Sequence, residues 1–200
     1  MADPGYIVDN VLVDGEAWIG LNTETLTSDT AYVTFTSGYN DAGADVGGVQ
    51  AWDQYMDLVL IAYCRGTKSA ATVQYHLTFN GNSDSIYGFQ RLQGDGANDN
   101  AYAESTNDRA EIHSVPAASA TPDIFGCVIS HLFDINSGKY KSLASQVAAD
   151  ADGSGSVALF ANTWRSQAPI TSIKIWPDAN NWLDESMFSL FGVMPRMVAP

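Results

Sequence analysis

Residues 73–92 read VQYHLTFNGNSDSIYGFQRL, and this stretch decides the fold. On either side of NGNS lie two short runs rich in β-branched and aromatic residues, too short and too irregular for an amphipathic helix. Asn80 and Gly81 both tolerate positive φ, so NGNS reads as a turn. The stretch therefore predicts strands over 73–79 and 86–92 paired as a β-hairpin.

The same grammar extends in both directions. Residues 56–64, MDLVLIAYC, are apolar on both alternating faces, which predicts a central strand covered on both sides. Upstream, AYVTFT (31–36) reads as a strand, and SGYNDAGADVGG (37–48) as a long loop. Downstream, 93–109 is polar and rich in Gly, Asn and Asp, which predicts an exposed loop of the kind that often carries binding. Further strands are expected over 124–133, 141–147, 157–161, 170–176 and 187–193. The one helix-like segment, ANNWLDESMFSLFGVM, resolves better as a turn followed by a strand.

Eight to ten short strands without intervening helices define an all-β chain, an antiparallel jelly-roll-like β-sandwich. Three parts are expected: an N-terminal arm (1–30), the sandwich (31–193) and a C-terminal tail (194–200). The arm is less regular, and the three aromatic residues Tyr6, Trp18 and Tyr32 suggest contact with a larger body rather than a free linker, in an oligomer a neighbouring copy.

Composition bounds the function. With 46% hydrophobic residues over 200 positions the chain can bury a sizeable core. Nine Lys and Arg against 23 Asp and Glu leave a formal charge of -14, which repels phosphate backbones and anionic membranes, so neither nucleic acid nor membrane is an expected partner. Residues 1–20 contain no Lys or Arg and no long apolar run, hence neither a secretory signal nor a membrane span is expected there. Cys64 and Cys127 sit in apolar strand-like runs, the context of buried thiols rather than of a disulfide framework.

Chemistry-bearing motifs are sparse. The acidic alternation around Asp150 and Asp152 resembles a calcium loop, but Ala161 occupies the position where a bidentate Glu should close it, so a Gly/Asp hairpin turn is preferred and no metal is expected. Asp95, Asn98, Asp99 and Asn100 form a second oxygen cluster, best read as solvated loop. His76, His113 and His131 lack the spacing of a zinc site. No GxSxG elbow or phosphate-cradling loop appears, so neither an enzymatic activity nor a cofactor is expected. Trp18, Trp52, Tyr55, Trp164 and Trp182 are candidate binding or interface residues, because Trp and Tyr anchor protein interfaces and stack on sugars. The same rings, Trp176 included, also suit caps at the ends of a sandwich core.

Four segments carry a family resemblance: WDQYMDLVLIAYCRG, HLTFNGNSDSIYGFQRLQGDG, VPAASATPDIFGCVI and FANTWRSQAPITSIKIWPDANNWLDESMFSLFGV. Over about residues 30–193 the chain resembles jelly-roll proteins of tailed bacteriophage particles, which serve as capsid cement (decoration) proteins or as parts of tail appendages. The most specific pieces are the FNGNS turn between Tyr75 and Tyr87, the W-x-S-x-x-x-I-T-S-I segment starting at Trp164, and the closing FSLFGV. The resemblance implies a virion protein on the capsid surface, a homotrimer whose partner is the major capsid protein. The alternative it leaves open is a receptor- or carbohydrate-binding domain of a tail appendage or adhesin.

Overall fold

The computed structural model describes residues 7–8, 11–12, 18–38, 51–152 and 154–194. Among them the chain forms strands only: β1 (Ile7–Val8), β2 (Val11–Leu12), β3 (Trp18–Thr25), β4 (Val33–Thr36), β5 (Asp57–Cys64), β6 (Thr72–Phe79), β7 (Tyr87–Gly94), β8 (Asp99–Asn107), β9 (Ala110–Pro116), β10 (Gly126–Phe133), β11 (Lys141–Asp150), β12 (Gly155–Trp164), β13 (Ser172–Pro177) and β14 (Met187–Val193). All pairing is antiparallel.

Apart from the small β1-β2 ribbon, two sheets form. One has the order β3-β14-β5-β10-β11-β12-β7-β8, the other β4-β13-β6-β9. The chain alternates between them: β3, β5, β10 and β14 lie in the large sheet and β4, β6, β9 and β13 in the small one. Two hairpin strand pairs, β7-β8 and β11-β12, extend the large sheet past β10. The main core is an interleaved layer from both sheets, including Leu58, Leu60, Tyr75, Leu77, Phe79, Ile112, Val128, Leu143, Trp164, Ile173, Ile175, Trp182 and Phe188, and Phe89, Ala158 and Phe160 form a smaller second cluster. Sequence alternation places it: β10 and β11 bury every second residue, so one side chain set meets the opposite sheet.

The structure alters several expectations. The runs flanking NGNS are not a hairpin, because β6 pairs with β13 and β9 while β7 pairs with β12 and β8. The turn chemistry was read correctly, with Asn80 at φ 53° and Gly81 at φ 66°, but it turns a corner between sheets. The Tyr87 hydroxyl accepts from the Phe79 amide (3.1 Å) and donates to the Asn82 carbonyl (3.1 Å), bonds that tie the corner across the sandwich. Burial pushes that hydroxyl's pKa up to about 12, so it stays protonated and able to donate. The 93–109 loop is instead most of a hairpin, β7 with β8, whose fully polar appearance reflects an edge strand with little burial on either face. Residues 18–25, assigned to the arm, form β3 and pair with β14, so the sandwich begins at Trp18. Residues 1–6, 9–10, 13–17, 39–50, 153 and 195–200 lie outside the described residues, and with them part of the expected arm and most of the expected 37–48 loop and C-terminal tail.

Candidate interaction surface

Of the five aromatic residues singled out as binding candidates, four are core. Trp52 is 2% exposed, Tyr55 1%, Trp164 3% and Trp182 0%. Each sits at the end of a strand or in a loop, as the sequence indicates, but those ends fold over the core. Trp182 packs on Tyr75 (5.4 Å between centroids) and Phe188 (5.7 Å), and Trp164 on Phe79 (5.5 Å). Only Trp18 is substantially exposed, at 49%, lying against Phe191 (6.3 Å) at the rim of the large sheet.

The metal candidates do not assemble either. Asp150 pairs with Gly155 across the β11-β12 hairpin, and Asp152 stands in its turn at φ 62°. Among the described residues no three His, Cys, Asp or Glu side chains converge to hold a metal ion. In the β7-β8 turn, Asp95 accepts from the Ala97 and Asn98 amides (3.0 and 2.7 Å), which stabilise its carboxylate and lower its pKa. His76 is buried beside Trp176 and Glu111, His113 bonds Ser156 (3.0 Å), and His131 bonds Asp57 (2.9 Å); His113 pairs with Tyr75, next to His76, yet each of the three histidines makes its own contacts.

The feature that sequence reasoning missed is the outer face of the large sheet. Ladder register aligns three rows across it. The first runs Phe191, Val59, His131, Ala144, Ala161, Gln90, Ala103. The second runs Ser189, Ile61, Ile129, Gln146, Leu159, Leu92, Ala101, and the third Met187, Tyr63, Cys127, Ala148, Val157, Gly94, Asp99. Tyr63, Ile129, Leu159, Leu92, Val157 and Met187 are 41% to 66% exposed. Asp99, at the β8 edge, is the single carboxylate in these rows, in a chain of charge -14.

The relief of the face follows from residue size. Along β11 the outward residues Ser142, Ala144, Gln146 and Ala148 include no large apolar side chain, whereas Cys127 and Ile129 on β10 and Val157 and Leu159 on β12 flank them. The result is a groove of about 620 Å³ floored by β11 and continued by Leu92. Cys127 opens onto it and is exposed, whereas Cys64 is buried; both thiols are free. The expectation of two buried cysteines thus fails for Cys127, which is in outward register opposite Tyr63.

The opposite outer face has different chemistry. On the small sheet Lys174 lies over Tyr32 (4.4 Å), Arg109 over Trp176 (5.7 Å), and Arg109 pairs with Asp108 (2.6 Å) and Glu111 (3.1 Å). One side of the sandwich is dressed for water and the other is not. A scan against protein-family models and a search of curated proteins find no match for this chain.

Proposed function

We propose that this chain is a structural protein of a bacteriophage virion, a capsid cement protein that binds the outer surface of the head as a trimer and stabilises it without chemistry. The observation that carries the reading is the apolar outer face of the large sheet. A contiguous strip spanning seven strands with a single carboxylate, Asp99 at its β8 end, is costly to leave in water and is characteristic of a protein that works by being covered. The order β3-β14-β5-β10 over β4-β13-β6-β9 supports reading the core as a jelly roll, with β7-β8 and β11-β12 as added hairpins that widen one sheet.

A multivalent clamp resists separation of shell subunits through effective concentration as well as contact area, and it needs no reactive group. The carbohydrate-binding alternative would rest on exposed stacking rings, and the burial of Trp52, Tyr55, Trp164 and Trp182 removes its principal platform. The test is addition of purified protein to cognate heads that lack it, followed by heating or osmotic shock. Stoichiometric binding with a raised disruption temperature is expected; absence of binding to those heads would end this reading.

A further inference from the structure

We infer that the groove and ridges on the outer face of β10, β11, β12 and β7 are where a second copy of this chain packs, so that this face lies between protomers rather than against the shell. The inference rests on the association reading above and specifies its partner.

Charge restricts where a like partner can pack. Two copies at -14 each repel, and they can approach closely only where neither brings carboxylates. The three rows provide such a strip with one exception, Asp99, which lines the β8 end of the groove. Like charges elsewhere stay at larger separation, where salt screens them.

Area argues the same way. Seven strands at about 4.8 Å spacing and three rows along them outline about 600 Å² of projected surface per copy, so two copies cover about 1,200 Å² together, the lower bound of a standard specific interface. That area is also at the upper end of what a monomer leaves uncovered. Shape adds a reason: a trough one strand wide beside apolar ridges offers relief into which a neighbouring copy's side chains can interdigitate.

The test combines mass measurement by light scattering with maleimide labelling of native protein. Because Cys64 is buried, Cys127 is the only exposed thiol among the described residues and reports on the groove. Wild-type protein is expected at a multiple of 21.4 kDa with Cys127 slow to label. Ile129→Glu combined with Leu159→Glu is expected to run at the single-chain mass with labelling several-fold faster, while Tyr140→Glu, at an equally exposed site off this face, keeps the multiple. Circular dichroism checks that the variant retains its strands. A wild-type mass of one chain overturns the inference, as does a folded double variant that keeps the wild-type mass. Should the double variant fail to fold, the wild-type mass and its Cys127 protection still decide. Monomeric wild type that nevertheless decorates heads would sink this inference and leave the proposed function standing; an oligomer that ignores heads would do the reverse.

Discussion

His113 sits on β9 at φ 102°, with its ring against Phe160 and its Nε2 at 3.0 Å from the Ser156 hydroxyl. Burial, with a smaller contribution from Arg91, lowers its pKa to about 4. An unfolded histidine titrates near 6.5, so between about pH 6.5 and 4 the unfolded chain binds more protons and stability must fall as pH falls. The full contribution is present above about pH 6.5 and is lost by the time both states are protonated, below about pH 4. His113→Asn tolerates the positive φ, and it should flatten the fall in urea midpoint between pH 6.5 and 4. At Trp182, buried among Tyr75 and Phe188 and donating to the Ile175 carbonyl, substitution by Ala should cost about 3–5 kcal/mol in denaturant unfolding. Gly192 is set by a close approach: a Cβ there would lie 2.5 Å from the Tyr55 ring, so Gly192→Ala should cost about 1–3 kcal/mol despite being a single methyl.

At the scale of elements, the corner between β6 and β7 depends on Asn80. Its amide donates to the Pro169 carbonyl (2.7 Å), while its carbonyl accepts from the Thr171 and Ser172 amides (2.8 and 3.1 Å), joining the β6 end to the start of β13. Asn80→Ala loses these bonds and strains a positive φ, so a loss of about 1–3 kcal/mol is expected from urea midpoints. Arg65 acts similarly for residues 117–125, donating to the carbonyls of Ala120, Thr121 and Ile124, all at 2.8–2.9 Å. Strands with one-sided or doubled apolar patterns, such as MDLVLIAYC and IFGCVISHLF, were legible in the sequence because burial imposes the pattern. Two edge strands were not: β8, DNAYAESTN, is exposed along almost its whole length, and β9, AEIHSVP, has a register shift opposite Tyr75 and His76 that breaks simple alternation, whereas the edge strand β4 alternates and was legible. Pairing of β6 with β7 was misread because a turn dictates only a reversal of the chain, and a reversal serves a sheet-to-sheet corner as well as a hairpin.

For the whole molecule, the unequal outer faces predict how association responds to ionic strength. Raising salt from about 0.01 M to about 0.15 M shortens the Debye length from about 30 Å to about 8 Å, which weakens repulsion between acidic copies while leaving apolar contact intact. Sedimentation equilibrium should therefore show tighter self-association at the higher salt, the reverse of an interface built on ion pairs. The signal for this face was present in the sequence as strands apolar on both sides. LVLIAYC, IFGCVISHLF and VALFA each carry an outward apolar set, Ile61 and Tyr63, Cys127 and Ile129, Val157 and Leu159, beside the inward one. The double pattern of β5 predicts cover on both sides, which holds for its first half only: of the outward set Asp57 and Val59 are buried, Ile61 is half-buried and Tyr63 is exposed.

Composition and alternation by themselves determined that this chain folds as stacked antiparallel strands and carries a formal charge of -14, because burial and charge are properties of residues counted in order. Which aromatic rings are core and which are surface, that two hairpins widen one sheet to eight strands, and that residues as distant as Leu92, Ile129 and Leu159 share one outer face were decided only by the tertiary structure. Strand order and register depend on pairing between segments far apart in the chain, and no local pattern encodes its own neighbour.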